Sequence, residues 1–170
     1  MNRSYATILQ GVKLAQNIKK EVKDEVLKIQ VNNPNFHPKL VAIAVGNNPA
    51  SKIYLEKKLE AAEYCGISFD KTSLPLETTE KKLVNIIDDL NQDSSVNGII
   101  VQLPLPPQMR EIKVCNSVSP DKDVDGFTQT NLGRLMQNTD NTSLLPCTAL
   151  AVKKIVQEIG NRQRLKQNIF

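Results

Sequence analysis

Tyr54 and Lys58 lie four positions apart in the stretch ASKIYLEKKLEAA, which has the composition of a helix. Four residues is slightly more than one helical turn, so a phenol and an ammonium group would share one face. The pair could place an aromatic ring and a proton-exchanging amine against one ligand, or it could belong to an ordinary amphipathic helix. Ser51 could cap this helix through its hydroxyl group. The stretch alone leaves both interpretations open.

Gln102 is a second polar residue in an unusual place, because it directly follows the apolar run GIIV. An amide at the end of a buried strand needs hydrogen-bond partners or it lowers stability. Gln102 could cap the backbone of its own loop, or it could hold Lys58 in position and tune its protonation.

Three acids alternate in the stretch SPDKDVDGF: Asp121, Asp123 and Asp125. Such alternation is found in calcium-binding loops, but the EF-hand pattern needs a Glu at its twelfth position, where this sequence has Leu132. We therefore expect no metal site. A carboxylate beside a glycine turn more often caps the turn, unless it faces a ligand.

The elements that must position these residues follow from hydrophobic periodicity. Nearly continuous apolar runs predict buried parallel strands, and apolar residues at helical spacing predict helices. The predicted strands are KLVAIAVG, ISFDKTSL and VNGIIVQL. Five helices are predicted: about 8–30, the stretch that carries Tyr54 and ends at Gly66, 78–93, about 109–117, and Thr148–Ile159. The third of these is expected to begin with a Thr cap. The segment 119–146 is predicted to be rich in loops.

Alternating helices and buried strands predict an α/β fold: a doubly wound, mainly parallel sheet with helices on both faces. Ligands bind such sheets outside the carboxyl ends of the strands. The segments VGNNPAS and VQLPLPP fall at that edge. Ser51, Gln102 and the acids are therefore expected near one cleft.

Bulk properties narrow the classes of function. A chain of 170 residues suits one domain, and its net charge of +4 comes from lysines interspersed with acids, so we expect no nucleic-acid partner. No apolar run approaches the roughly 20 residues that span a bilayer, so we expect no membrane partner. The odd number of cysteines, three, and the single His37 disfavour disulfides and metal sites. None of the seven glycines forms a G-x-G-x-x-G dinucleotide motif.

Four segments together resemble one family, the bifunctional methylenetetrahydrofolate dehydrogenase/methenyltetrahydrofolate cyclohydrolases. VGNNPASKIYLEKKLEAAEYCGI is similar to the family's Tyr-x-x-x-Lys helix, and NGIIVQLPLPP to its signature strand and proline loop. SPDKDVDGFTQTNLGRL resembles its pterin-side loop, and LLPCT the segment before its next helix. The resemblance covers nearly the whole chain in order.

The resemblance implies roles for individual residues. It implies that Lys58 exchanges protons in catalysis, that Gln102 orients it, and that Tyr54 stacks on or positions the folate. It implies that Asp125 accepts hydrogen bonds from the amino-pyrimidine edge of the pterin and that Ser51 lines the same cleft. The proline-loop residues Leu103 and Pro104 complete the implied substrate-binding set.

The implied reactions are oxidation of 5,10-methylenetetrahydrofolate and hydrolysis of the methenyl product to 10-formyltetrahydrofolate. Family members continue into a Rossmann-type domain that binds NAD or NADP, which has no counterpart here. We expect residues 1–160 to form the folate-binding catalytic domain and 161–170 to begin the connection to that domain. We also expect a homodimer for the full-length protein, and a mitochondrial or cytoplasmic location, of which the mitochondrial one is slightly favoured.

Two alternatives to a catalytic domain remain. The chain could be a truncated, non-catalytic module that binds folate or forms dimers, or it could be an unrelated doubly wound domain. Folate binding without turnover would favour the first alternative, and loss of both properties would favour the second.

Overall fold

The computed structural model describes residues 10–137, 144 and 146–167. Three strands alternate with helices in the first part of the chain, and three further helices follow the last strand. In chain order the elements are α1 (Gly11–Asn32), β1 (Lys39–Val45), α2 (Pro49–Cys65), β2 (Ser68–Leu74), α3 (Glu80–Gln92), β3 (Gly98–Val101), α4 (Glu111–Cys115), α5 (Gln129–Gln137) and α6 (Cys147–Gln167).

The three strands form one parallel sheet in the order β2-β1-β3, so β1 is central. Because side chains alternate along a strand, β1 contributes to two separate cores. Ile43 faces a cluster with Leu83 and Ile87 of α3, whereas Ala44 faces a cluster with Leu55 of α2. Helices therefore cover both faces of the sheet, and the predicted doubly wound α/β class is confirmed.

The switch of chain direction on the sheet explains where a cleft can form. The connection from β1 runs through α2 to β2 on one side, and the connection through α3 returns to β3 on the other side of β1. The carboxyl ends of β1 and β3 consequently border a crevice, which is where doubly wound sheets bind ligands. Gly46 follows β1 at this edge with φ 79°, and Gln102 follows β3.

The helix ends correct one prediction and confirm two. Asn48, not Ser51, is the N-cap of α2, and its side chain accepts hydrogen bonds from the backbone N–H groups of Ala50 and Ser51. Pro49 occupies the start of the helix, where its missing N–H group is harmless. The predicted Gly66 terminus is confirmed by its left-handed conformation, and the predicted Thr cap of α3 by Thr79.

The loop-rich prediction for 119–146 was wrong in part, because α5 occupies Gln129–Gln137. The backbone N–H groups of Phe127 and Thr128, just before α5, donate to the buried carboxylate of Asp123. The Thr128 hydroxyl then accepts from the N–H of Asn131. Part of this stabilisation comes from a residue outside the helical segment, so local periodicity could not reveal it. The last helix also runs to Gln167, beyond the predicted end at Ile159.

The segment that carries the alternating acids lies beside β3. Ile99 forms a parallel bridge with Asp123, and its N–H donates to the carbonyl of Lys122 at 2.8 Å. This approach requires a glycine at position 98, because a Cβ there would lie 2.6 Å from the Val124 side chain and would also collide with Leu40. Backbone pairing thus holds the acid segment at the edge of the sheet.

Helix α1 packs on α2 rather than on the sheet. Val26 is its buried residue, and the carbonyl of Lys19 accepts from the thiol of Cys65. The Lys19 and Lys23 ammonium groups lie 5.4 and 5.0 Å from the centre of the Tyr64 ring. Within the described ranges, none of the helices has the length and apolar character needed to cross a bilayer.

Candidate active site

Helix α2 presents the Tyr54–Lys58 pair at the rim of the crevice. Ser51 and Leu55 are buried, which fixes the face of the helix that contacts the sheet. Tyr54 is 65% exposed, and the Lys58 side chain is 35% exposed. The phenol is therefore accessible to a ligand, whereas the lysine is partly enclosed.

The proline loop after β3 meets α2 through Ser51. The Ser51 hydroxyl donates to the carbonyl of Leu103 at 3.4 Å, and the side-chain amide of Gln102 donates to the same carbonyl at 2.8 Å. Pro104, which follows in a cis peptide bond, is exposed. Ser51, Gln102, Leu103 and Pro104, predicted from separate segments, are thus brought together.

Gln102 shows the loop-capping contact that was one of its two interpretations, and in the described part of the chain it also leaves one buried acceptor unpaired. Its Nε2 caps the loop, as the structural interpretation requires, but its Oε1 is buried and has no hydrogen-bond partner among the described residues. A buried, unpaired acceptor lowers stability unless a ligand or another group supplies a donor. In the described chain Gln102 shares no hydrogen bond with Lys58, so its orienting role remains a prediction.

The three alternating acids have three different environments. Asp121 is 89% exposed and lies 4.0 Å from Arg134. Asp123 is buried and accepts backbone hydrogen bonds within its own loop. Asp125 is mostly enclosed, with a side chain that is 17% exposed, and faces Lys58 of α2. Of the three acids, Asp125 is the one paired with α2, through Lys58.

Lys58 Nζ and Asp125 Oδ1 lie 3.9 Å apart, although they come from distant parts of the chain. Burial raises the pKa of the Asp125 carboxyl above its ordinary value, and the positive charge of Lys58 opposes this shift. The distance is long for a hydrogen-bonded ion pair. Ammonium and carboxylate can therefore each offer a hydrogen-bonding group to a third molecule.

Cys147, at the start of α6, also lies beside Asp125, and our sequence-based reasoning gave it no role. Its Sγ lies 3.9 Å from both Asp125 Oδ1 and the carbonyl oxygen of Val124. Cys147 keeps surface exposure, yet desolvation of the sulfur and the negative charge of Asp125 raise the pKa of the thiol. The only available signal was its position in the LLPCT segment, because spacing along the chain does not indicate this contact.

The predicted site residues divide into two adjoining groups. A cleft of about 640 Å³ is lined by Ser51, Gln102 and Pro104 together with the loops that follow β1 and β2. Lys58 and Asp125 form the second group and do not line that cleft. Ser51 and Tyr54, both in the first turns of α2, connect the two groups.

The chemistry available at this edge is proton exchange and polar recognition. The described residues contain no group of three or more His, Cys, Asp or Glu side chains suited to a metal ion. At this edge they offer the Lys58 ammonium, a carboxylate with a raised pKa, an unpaired amide oxygen and an exposed phenol, and two further lysines, Lys52 and Lys71, line the cleft. Hydrogen-bond donors and acceptors are thus both available to a ligand. Fold and site together define a doubly wound α/β domain with a ligand cleft at the carboxyl edge of its sheet.

Comparisons with known proteins identify the family. Residues 9–125 match the family described as tetrahydrofolate dehydrogenase/cyclohydrolase, catalytic domain. The chain is 42% identical over 158 residues to the bifunctional methylenetetrahydrofolate dehydrogenase/cyclohydrolase, mitochondrial, of Gallus gallus, covering 93% of this chain and 46% of that protein. The chain therefore belongs to the tetrahydrofolate dehydrogenase/cyclohydrolase family, and its match is to the catalytic domain.

Solved structures agree with this assignment. The 5,10-methylenetetrahydrofolate dehydrogenase of Bombyx mori superposes with a TM-score of 0.87 at 40% identity, covering 92% of this chain and 53% of that one. The Trypanosoma brucei dehydrogenase-cyclohydrolase, solved with NADP and an inhibitor, gives a TM-score of 0.87 at 31% identity, covering 91% and 52%. The chain spans about half the length of these relatives.

Proposed function

We propose that this chain is the folate-binding catalytic domain of an enzyme that oxidises 5,10-methylenetetrahydrofolate and hydrolyses the methenyl product to 10-formyltetrahydrofolate. The observation that carries the proposal is the approach of Lys58 and Asp125 to 3.9 Å at the carboxyl edge of the sheet. Family membership and the names of the relatives support the same reactions. In this proposal residues 1–160 form the domain and 161–170 begin a connection to a nucleotide-binding domain.

Asp125 is the residue proposed to bind the pterin. The amino-pyrimidine edge of a pterin presents N–H donors, which an ionised carboxylate accepts in charge-assisted hydrogen bonds. Because the pKa of Asp125 is raised by burial, this recognition should weaken at a higher pH than for an ordinary aspartate. The positive charge of Lys58 favours the ionised carboxylate by opposing that shift.

Lys58 is the proposed proton-exchanging group. With the pterin on Asp125, the bridge between N5 and N10 would lie near the ammonium group. Hydrolysis requires removal of a proton from the attacking water and delivery of a proton to a ring nitrogen, and a side chain that exchanges protons at the bridge can assist both transfers. Tyr54 would stack on or position the folate from its exposed place on α2. A ligand donor would satisfy the buried Oε1 of Gln102 while that residue orients Lys58.

The remaining predicted residues, Ser51, Leu103 and Pro104, are proposed to bind the substrate. Ser51 and Gln102 both donate to the carbonyl of Leu103, which holds the proline loop against α2. Pro104 lines the cleft beside them. These contacts support a role in substrate binding for Ser51, Leu103 and Pro104.

The nicotinamide cofactor, NAD or NADP, is proposed to bind outside this chain. The cofactor would accept the hydride from the methylene bridge. The sequence has no G-x-G-x-x-G motif that could hold a dinucleotide, and the chain corresponds to about half of the Trypanosoma brucei protein, whose structure contains NADP. The residues of this chain would supply folate binding and proton exchange. A homodimer of the full-length protein, and a mitochondrial location like that in the name of the Gallus gallus relative, belong to the same proposal.

Binding measurements on two aspartates test the proposal. Asp125→Ala should weaken binding of 5-formyltetrahydrofolate by about 1.5–3 kcal/mol, the range for a hydrogen bond to a charged group. Asp121→Ala is the matched control, because Asp121 belongs to the same loop but is 89% exposed. We expect calorimetry to show almost no change for the control. Equal losses for both variants, or no loss for either, would contradict the proposed site.

Turnover distinguishes the catalytic domain from the non-catalytic alternative. If the chain and its full-length form bind the folate but Lys58→Met leaves hydrolysis of methenyltetrahydrofolate unchanged, a binding module is the better description. If neither binds the folate, both proposals fail.

A further inference from the structure

Asn131 is a buried polar residue in the first turn of α5, and no role in the proposed chemistry falls to it. Only 2% of its surface is exposed. Its Nδ2 group donates to the carbonyl of Pro120 at 2.9 Å and to Asp123 Oδ2 at 3.0 Å. Its Oδ1 accepts from Arg134 at 3.3 Å. The acid loop, residues 120–128, contains the three alternating aspartates. The amide of Asn131 therefore connects α5 with the beginning and the middle of this loop.

Asp123 connects the same loop to its other end. This residue is 4% exposed, and its carboxylate accepts from the N–H groups of Phe127 at 3.1 Å and Thr128 at 2.9 Å. Together with the bonds of Asn131, these contacts fix both ends of the segment 120–128. Asp125 lies in the middle of that segment, followed by Gly126 in a left-handed conformation with φ 67°.

Asp125 receives no comparable hydrogen bonds from the described residues. Of those residues, the Lys58 ammonium and the Cys147 thiol approach its carboxylate, each at 3.9 Å, and the charge of Asp123 also acts on it. Interactions at that distance restrain a side chain weakly. The position of the carboxylate therefore depends on the loop backbone, and the loop backbone depends on Asp123 and Asn131.

We infer that Asn131 is a positioning residue for the pterin-binding carboxylate of Asp125, acting through Asp123 and the 120–128 segment. This inference rests on the proposed function. Asn131→Ala would remove the donor from two acceptors, the Pro120 carbonyl and a buried carboxylate oxygen. Because unsatisfied buried acceptors are unfavourable, the loop would shift to find other donors. A displacement of even about 1 Å is sufficient to impair a preorganised site.

The test is the affinity of the 170-residue chain for 5-formyltetrahydrofolate, measured by isothermal titration calorimetry at a temperature where circular dichroism shows each variant to be folded. We expect Asn131→Ala to raise the Kd at least fivefold, but by no more than Asp125→Ala does. Thr130→Ala is the matched control, because Thr130 is the exposed neighbour on the same helix. Its Kd should stay within twofold of the wild type. Asn131→Asp, which keeps the side-chain size but removes both amide donors, replaces the alanine variant if that variant does not fold.

A double-mutant cycle separates positioning from general loosening of the fold. If Asn131 acts through Asp125, adding Asn131→Ala to Asp125→Ala should change the Kd by less than twofold, because the carboxylate to be positioned is already gone. Wild-type affinity in Asn131→Ala would overturn the inference. The inference would also be overturned if Asn131→Ala lowered folate affinity by the same factor in the wild type and in Asp125→Ala. It would be overturned as well if Asn131→Ala lowered the affinity while Asp125→Ala bound the folate normally. Failure of the wild type to bind would instead overturn the proposed function, and this inference with it.

Discussion

Replacing Lys58 by methionine should remove most of the methenyl hydrolysis activity while leaving the fold intact. Methionine has a similar length and retains the packing of the side-chain stem, but a thioether cannot exchange a proton. The Lys58 side chain is 35% exposed and lies 3.9 Å from Asp125. Loss of its charge should raise the pKa of Asp125 further, so folate affinity is measured together with kcat and stability.

The expected magnitudes of the two effects differ widely. General acid–base catalysis typically contributes a factor of 10² to 10⁴ in rate, or about 2.7–5.5 kcal/mol of barrier. Partly exposed ion pairs typically contribute about 0.2–1 kcal/mol to stability. We expect Lys58→Met to lower kcat at least 100-fold and to change the free energy of unfolding by no more than about 1 kcal/mol.

The assay follows the loss of methenyltetrahydrofolate absorbance between pH 6 and 9 in a full-length protein that carries this chain. Spontaneous hydrolysis is subtracted, and folate affinity is measured at pH 8, because the raised pKa of Asp125 makes an alkaline pH favour its ionised form. Lys57→Met is the matched control, because Lys57 is the adjacent lysine and is paired with Glu60 at 2.8 Å on the exposed side of α2. Its activity should match that of the wild type.

The refuting result is specific. If Lys58→Met keeps kcat within threefold of the wild type at every pH, Lys58 has no part in proton exchange. If Gln102→Ala shifts the pH profile of hydrolysis, Gln102 acts on Lys58. An unchanged profile would restrict Gln102 to capping the carbonyl of Leu103.

Three further predictions concern other parts of the chain. The 170-residue chain alone should not reduce NAD or NADP with methylenetetrahydrofolate above a no-enzyme control; measurable reduction would contradict the placement of the cofactor outside it. Hydrogen bonds from Arg110 and Lys113 hold the pKa of the Glu80 carboxyl well below its ordinary value of about 4.5. The ionised Glu80 therefore contributes its full stabilisation above about pH 4.5, and this stabilisation is lost as the pH falls below that value. Glu80→Gln should therefore lower the urea midpoint of unfolding at pH 7 by more than at pH 3. A difference in midpoint between wild type and variant that is equal at the two pH values would refute this. Iodoacetamide at pH 8 should label exposed Cys147 before buried Cys115, whose pKa is raised to about 11 by burial; mass spectrometry would show the order.

The strands and the proton-exchanging candidate followed from the sequence because each has a local signature. Continuous apolar runs predicted β1 and β3, and the four-residue spacing placed Tyr54 and Lys58 on one helix. The N-cap error was avoidable: Asn48 directly precedes Pro49, and proline favours the first helical position. Ser51 has the side chain of a cap, but it lies too far into the helix.

The environments of the three aspartates and of Cys147 could not be predicted, because they depend on contacts between distant segments of the chain. No periodicity indicates that Asp123 and not Asp121 is the structural acid, because the two differ only in what the fold packs around them. The proximity of Cys147 to Asp125 likewise appears only once α6 is placed beside the acid loop. Residue types suggested the chemistry, whereas the tertiary structure assigned each acid its role.

Gly98 offers a means of adjusting the site without altering any residue in it. The absence of a side chain at this position lets Val124 lie close to β3, and Val124 is the residue directly before Asp125. A larger side chain at position 98 would collide with the side chains of Leu40 and Val124, so at least one of them would have to shift. A shift of Val124 is expected to carry the neighbouring Asp125 with it, whereas Lys58 belongs to α2, a separate element. The 3.9 Å separation of the two charged groups is thus open to adjustment from a strand position that contains neither of them.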